Sequence, residues 1–194
     1  MSKTREQLIE VARLQFAKSG VEGTTMNDIA LCSKKGRRTL YTYFKSKREI
    51  YHAVIQSELE KLHKSLQAVV VSEMPEDEKL MDLIYVRLDA IKEVVTRNGT
   101  LRANFFRDIW RVETVRKDFD IREIQIIKTI LDDGVKNGVF DIRDTDVTAE
   151  ILHHALKGLE VPYIRGTLIG FAHGKEGSLN AVVELLSTGL KKRN

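Results

Sequence analysis

Proline is nearly absent from this chain, with two in 194 residues. Proline removes a backbone donor and clashes inside a helix, so its scarcity leaves long stretches free to be helical. Cysteine occurs once, as Cys32, which excludes an internal disulfide and a cysteine zinc site. Cys32 sits among apolar helix positions and reads as a small buried side chain. Long apolar runs are missing as well. The longest are four residues, at 68–71 and 83–86, against the roughly 20 that a membrane span requires. No secretory apolar stretch follows Met1. The expectation is a cytoplasmic chain with no membrane partner. Hydrophobic residues still make up 42% and charged residues 31%. That balance suits a folded domain with a core and excludes a wholly disordered chain.

The charge is unevenly placed. Residues 1–50 carry 11 Lys and Arg against 5 Asp and Glu, a balance of +6, and the remaining residues come to −2. A basic first quarter on a near-neutral body suggests a nucleic-acid-binding head, and a merely solvated basic surface is the rival reading.

Helical periodicity runs almost throughout. Leu8, Ile9, Ala12 and Phe16 share one face, with a capping-box pattern at Thr4–Gln7 before them. Gly20 and Gly23 then stop that helix. Thr25–Asp28 is a second capping box, opening a short helix to about Ser33, and a third helix fits Arg37 to about Phe44. Ser46–Glu49 is a further box before a long amphipathic stretch through Ile50, Val54, Leu59, Leu62, Leu66 and Val69. Pro75 breaks it. Later patterns cover residues 77–96, 101–111, 121–135, from 144 or 145 to 159, and 178–192. Asn137-Gly138 closes one of them as a C-cap pair. Pro162, Gly166, Gly170 and Gly174 loosen the segment after residue 159. No alternating strand and no repeat is found. The fold class is therefore all-α: an N-terminal three-helix head, residues 1–50, followed by a larger helical bundle, residues 51–194.

Three short helices with a tight joint between the second and third describe a helix-turn-helix. The joint, Ser33-Lys34-Lys35-Gly36-Arg37-Arg38, has four basic residues in six. Glycine where the third helix starts lets a phosphate approach the free N–H groups there. Arg37 and Arg38 can reach base edges or phosphates. Leu40 and Phe44, four apart, read as core. Tyr41 and Tyr43 lie on other faces and offer hydroxyls to DNA. Lys47 opens the next helix, where a lysine is poorly placed for the helix dipole, and a phosphate would rationalise it.

Residues Thr24-Thr25-Met26-Asn27-Asp28-Ile29-Ala30, followed by Thr39-Leu40-Tyr41-Thr42-Tyr43-Phe44-Lys45-Ser46-Lys47, resemble the DNA-binding head of TetR-type bacterial transcription regulators. Ala12, Phe16 and Gly20 also sit where that family has an alanine, a phenylalanine and a glycine. A weaker echo is Gly134-Val135-Lys136-Asn137-Gly138-Val139-Phe140. The resemblance implies that Thr25 caps the second helix and touches a phosphate. It implies that Arg37, Arg38 and Thr39 enter the major groove, that Tyr41, Thr42 and Tyr43 contact phosphate or base edges, and that Lys47 holds a phosphate. Many members have glycine, an apolar residue and serine where this chain has Lys34, Lys35 and Gly36.

Enzyme signals are poor. There is no Gly-x-Gly-x-x-Gly, no His-Glu-x-x-His and no complete P-loop. His153 and His154 are adjacent and point about 100° apart on a helix, so they cannot share one metal. One of them reads as a satisfied core histidine. No metal site and no cofactor is read from the sequence. The body can hold a pocket between helices. Asn104, Phe105, Phe106 and Trp110 could line it, with Tyr85 and Tyr163 supplying hydroxyls, and Arg102 or Arg107 near an acidic ligand head. Ordinary core packing is the alternative for the aromatics. The expectation is a DNA-binding transcription regulator, a ligand-released repressor acting as a homodimer on a double-stranded palindromic operator, with a small hydrophobic or amphipathic effector. The rivals are a non-specific architectural DNA binder and an α-helical enzyme or carrier for an acidic small molecule.

Overall fold

The computed structural model describes residues 2–97, 109–165, 181, 184 and 185. Among the described residues are seven helices and no strand: α1 (Lys3–Gly23), α2 (Met26–Cys32), α3 (Arg37–Tyr43), α4 (Lys47–Val70), α5 (Glu76–Arg97), α6 (Ile109–Lys136) and α7 (Thr145–Arg165). No helix among them is long and apolar enough to cross a membrane. The chain divides into two compact units. One contains residues 1–61 and 93–117, and the other residues 62–92 and 118–194.

Local chemistry sets the helix ends of the first unit. α1 starts earlier than the 4–7 pattern suggests, because Ser2 supplies the cap: its Oγ accepts from the Arg5 N–H at 3.4 Å. Gly20 interrupts α1 with φ 74° and ψ 162°, a conformation open chiefly to glycine. Thr24 is buried, and its hydroxyl donates to the Gly20 carbonyl at 2.7 Å, so the break leaves that acceptor satisfied. Ser46 Oγ accepts from the Glu49 N–H at 3.2 Å, but the Glu49 carboxylate accepts from the Lys45 N–H at 2.6 Å. The expected box at Ser46 is therefore half formed, its return bond taken one residue upstream.

The head core joins Leu8, Ile9, Ala12 and Phe16 of α1 to Ile29 and Ala30 of α2. Leu40 and Phe44 close it from the third helix, and Ile50, Tyr51, Ala53 and Val54 from α4. The Phe16 and Tyr51 rings meet edge to face at 5.9 Å. Each fully buried Leu, Ile or Phe contributes about 1.5–3 kcal/mol of transfer free energy. That many in a small head fixes how α3 is presented.

α6 differs from the sequence expectation. Residues 101–111 and 121–135 read as separate patterns, yet one helix runs from Ile109 to Lys136. The stretch between is polar, but no glycine or proline interrupts residues 109–133, so nothing ends the helix. Its C-terminus closes as expected. Gly138 has φ 74°, and the Val139 and Phe140 N–H groups donate to the Gly134 carbonyl at 2.8 and 3.1 Å. Phe140 is buried over Gly134, where any Cβ would collide with its ring. Asp144 caps α7 by accepting from the Val147 N–H at 3.0 Å. The helix passes Pro162 to Arg165, beyond the expected end at 159. One missing N–H near a helix end is tolerated where the flanking turns remain bonded.

The second unit has a charged interior that the sequence did not reveal. Arg87 is fully buried, with Nε 2.5 Å from Glu123 Oε1 and Nη2 2.8 Å from Glu160 Oε1. His153 Nδ1 lies 2.6 Å from Glu123 Oε2, so the histidine is buried and partnered as expected. Lys157 Nζ lies 3.0 Å from Asp120 Oδ2. Burial pushes the Glu123 carboxyl up, but the Arg87 charge and hydrogen bonds from His153 and Arg87 outweigh it and leave the pKa lowered. Removing one partner of such a buried pair costs about 3–5 kcal/mol.

Candidate nucleic-acid interface

The site is built on α2, α3 and the joint between them. Thr25 caps α2 reciprocally. The Asp28 N–H donates to Thr25 Oγ1 at 3.2 Å, and the Thr25 N–H and hydroxyl donate to Asp28 Oδ2 at 2.8 and 2.7 Å. The Thr25 side-chain and backbone hydrogen bonds hold the Asp28 carboxyl below its usual pKa. Thr25 itself stays exposed.

The joint is tight. Ser33 is buried, and its N–H and hydroxyl donate to the carbonyls of Ile29 and Ala30 at 3.0 and 2.9 Å. Lys34 then takes φ 54°, the one positive φ outside glycine among the described residues. The family resemblance expects glycine at this position, and here a lysine takes the left-handed conformation. The Lys34 and Lys35 N–H groups donate to the carbonyls of Leu31 and Ala30 at 3.1 and 3.3 Å. Gly36 is the N-cap of α3 with φ −63°, ψ 148° and no side-chain cap. A Cβ there would meet nothing within 4 Å. The fold does not require this glycine, and the space above the helix end is open. Cys32 is exposed, against the expected buried position, because α2 turns its Ile29-Ala30 face to the core and Cys32 lies off that face.

On α3, Leu40 is fully buried and Phe44, its C-cap, nearly so, both as expected. Arg37, Arg38, Tyr41, Thr42 and Lys45 are exposed. The spacings of one and four place the first four along one face of α3, and Lys45 follows just past its C-cap Phe44. The α3 face has two cations, two hydroxyls and no carboxylate, and Lys45 adds a third cation beyond the helix end. Thr42 donates to the Arg38 carbonyl at 2.9 Å, and Lys45 Nζ to the Tyr41 carbonyl at 3.1 Å. Lys45 was missed as a candidate, although its i+4 spacing from Tyr41 is the signal that finds it. Thr39 and Tyr43 are half-buried, and the Tyr43 hydroxyl lies 3.0 Å from Ser2 Oγ. Lys47 is half-buried, its Nζ donating to the Glu22 carbonyl at 3.2 Å.

The pocket candidates are not brought together among the described residues. Asn104, Phe105 and Phe106, with Arg102 and Arg107, lie outside them, and so does the side chain of Trp110, whose backbone is in α6. Tyr85 is half-buried. Tyr163 is buried, its hydroxyl donating to Asp89 Oδ1 at 3.0 Å beneath the Lys92 amine, which lies 4.7 Å from the ring centroid. Burial and that bond push the Tyr163 hydroxyl up to about 12.

Residues 8–54 match the model for bacterial regulatory proteins of the tetR family. The probable acrEF/envCD operon repressor of Escherichia coli is 27% identical over 164 residues, 81% of this chain and 74% of its own length. The HTH-type transcriptional regulator YhgD of Bacillus subtilis is 25% identical over 153 residues, 78% of this chain and 80% of that protein. A transcriptional regulator from Cytophaga hutchinsonii shares the fold, with a TM-score of 0.77 at 22% identity over 96% of this chain and 98% of that one. Residues 8–54 are thus a DNA-binding head of the type found in the tetR family of bacterial regulatory proteins, and the chain is a DNA-binding transcription regulator similar to members of that family.

Proposed function

We propose that this regulator is a cytoplasmic homodimeric repressor that reads a palindromic operator and is released by a small hydrophobic or amphipathic effector. The observation that carries the reading is the exposed face of α3, where Arg37, Arg38, Tyr41 and Thr42 stand together without a carboxylate, with Lys45 exposed just past the helix end. A helix entering the major groove needs such a face, with arginine forks for guanine edges and hydroxyls for phosphates. Thr25 flanks it as a further phosphate contact, and Thr39 enters the major groove with Arg37 and Arg38. Tyr43 and Lys47 act at its rim, each already bonded within the head.

Dimerisation is supported by α7, which exposes Val147, Ile151, Ala155 and Gly158 at spacings of four, four and three. Val147 and Ile151 are 51% and 61% exposed. An apolar stripe of this kind suits pairing across a two-fold axis. Two heads then meet two half-sites, and an effector that favours another separation of the heads lowers operator affinity by its differential affinity for the two states. Repression follows the sense of the relatives' names, among them HTH-type transcriptional repressors of Mycolicibacterium smegmatis and Corynebacterium glutamicum.

Footprinting with purified protein on the DNA upstream of its own gene, beside sedimentation at micromolar concentration, tests the reading. A protected inverted repeat and a dimer support it. A monomer, or uniform protection without sequence preference, overturns it.

A further inference from the structure

Thr42 stands exposed near the end of α3, and its hydroxyl donates to the Arg38 carbonyl at 2.9 Å. Helices commonly hold a threonine this way, bonded one turn back to their own backbone. A carbonyl oxygen has two lone pairs, so it can serve the helix ladder and the hydroxyl together. A hydroxyl has a single proton. With that proton placed on Arg38, Oγ1 has only lone pairs to present outward, beside the Thr42 methyl. Among the described residues no donor reaches Oγ1.

The neighbouring side chains offer the opposite chemistry. Tyr41 is 39% exposed, and among the described residues its hydroxyl makes no hydrogen bond, so its proton is free for an acceptor. Arg37 and Arg38 carry guanidinium donors and no acceptor. A phosphate presents only acceptor oxygens to its surroundings. It suits Tyr41 and the arginines, and it has no proton for Thr42 Oγ1. Base edges do. In the major groove the donors are the adenine N6 and cytosine N4 amino groups, and the apolar feature is the thymine C5 methyl. Only an A·T pair carries both a donor for Oγ1 and a methyl for the threonine methyl. A G·C pair has the cytosine donor and no methyl, and its guanine edge shows two acceptors.

We infer that Thr42 is a specificity-determining residue that selects an A·T pair, its Oγ1 accepting from adenine N6 and its methyl packing on the thymine methyl. The inference rests on the reading that α3 lies in the major groove. Arg38 stands one turn before Thr42, and side chains at that spacing have Cβ atoms about 5–6 Å apart. Successive bases rise about 3.4 Å, so the A·T pair lies one or two steps from the pair that Arg38 faces. The two residues then divide the groove between them. Arg38 needs acceptors, as on guanine, and Thr42 needs a donor, so neither tolerates the base that suits the other. A hydroxyl turned outward to a phosphate contributes instead equally on every sequence.

The test starts with selection from random duplexes by the full-length parent, Thr42→Val and Thr42→Ser. Affinities are then measured on the parent's selected duplex with single groups removed. Deoxyuridine lacks the thymine methyl, and purine deoxyriboside lacks the adenine N6 amino group. At one A·T pair the parent should lose about two- to tenfold in affinity with either change. Thr42→Val keeps a methyl and has no acceptor, so it should ignore the loss of N6 and still respond to deoxyuridine. Thr42→Ser should do the reverse. Circular dichroism checks that both variants are folded, and the substituted duplexes test the parent without any mutation. A parent that selects a sequence yet responds to neither change at any A·T pair overturns the inference alone. So do folded variants that keep both of the parent's responses, or that lose affinity equally on selected and random duplexes, the mark of a phosphate contact. A parent that selects no sequence overturns the docking of α3 and the inference with it.

Discussion

The Lys47 ammonium donates to the Glu22 carbonyl at 3.2 Å, tying the first residue of α4 to the end of α1. A lysine in the first turn of a helix opposes the dipole, and this bond gives it a local reason as well as a DNA-facing one. Lys47→Ala should therefore act twice. It should reduce the slope of log affinity against log salt by about 1, uniformly across sequences, if the amine also neutralises a phosphate. It should lower head stability by about 0.5–1 kcal/mol through the lost bond. Salt-dependent binding and urea unfolding measure the two parts. A stability loss with an unchanged salt slope leaves Lys47 as a brace alone.

Lys34 holds the left-handed turn between α2 and α3. A non-glycine residue there costs about 1–2 kcal/mol relative to glycine. Lys34→Gly should raise the urea midpoint, although glycine's freedom in the unfolded chain offsets part of the gain. The same change removes a charge at the DNA-facing joint, so operator binding should weaken at low salt and converge on the parent at high salt. A midpoint that falls contradicts the strain.

Much of the head was legible because its signals are local. Thr25 and Asp28 form a reciprocal cap that residue types and spacing alone announce, and the four-residue step from Leu40 to Phe44 marks the core side of α3. Cys32 was misplaced because a two-turn helix offers too few positions to define its buried face. The start of α6 was missed because Thr114–Asp120 reads as solvated and no breaker marks continuity. The Arg87–Glu123–His153 network was invisible for a different reason. Its members come from α5, α6 and α7, and charged residues at helical spacing normally read as a wet face. Only tertiary packing brings them together.

Tyr163 carries a pH signature. Burial and the bond to Asp89 raise its hydroxyl from 10 to about 12. A raised folded pKa means that this contribution to stability is full below about pH 10 and declines as pH climbs toward 12. The spectrophotometric tyrosinate titration should show one of the five tyrosines ionising late. Tyr163→Phe should remove that late step and flatten the alkaline loss of stability. A native titration with no late component rules out the buried pairing.

Quantitative binding of the parent, Arg37→Ala and Arg38→Ala to the protected operator and to random DNA, at several salt concentrations, bears most directly on the base-reading role of α3. The parent should bind the operator at least about a thousandfold tighter than random sequence. At least one arginine variant should lose about 1–3 kcal/mol on the operator, with relaxed preference at a single base position. Parent-like operator affinity and preference in both variants would contradict the assignment of the α3 face to the major groove.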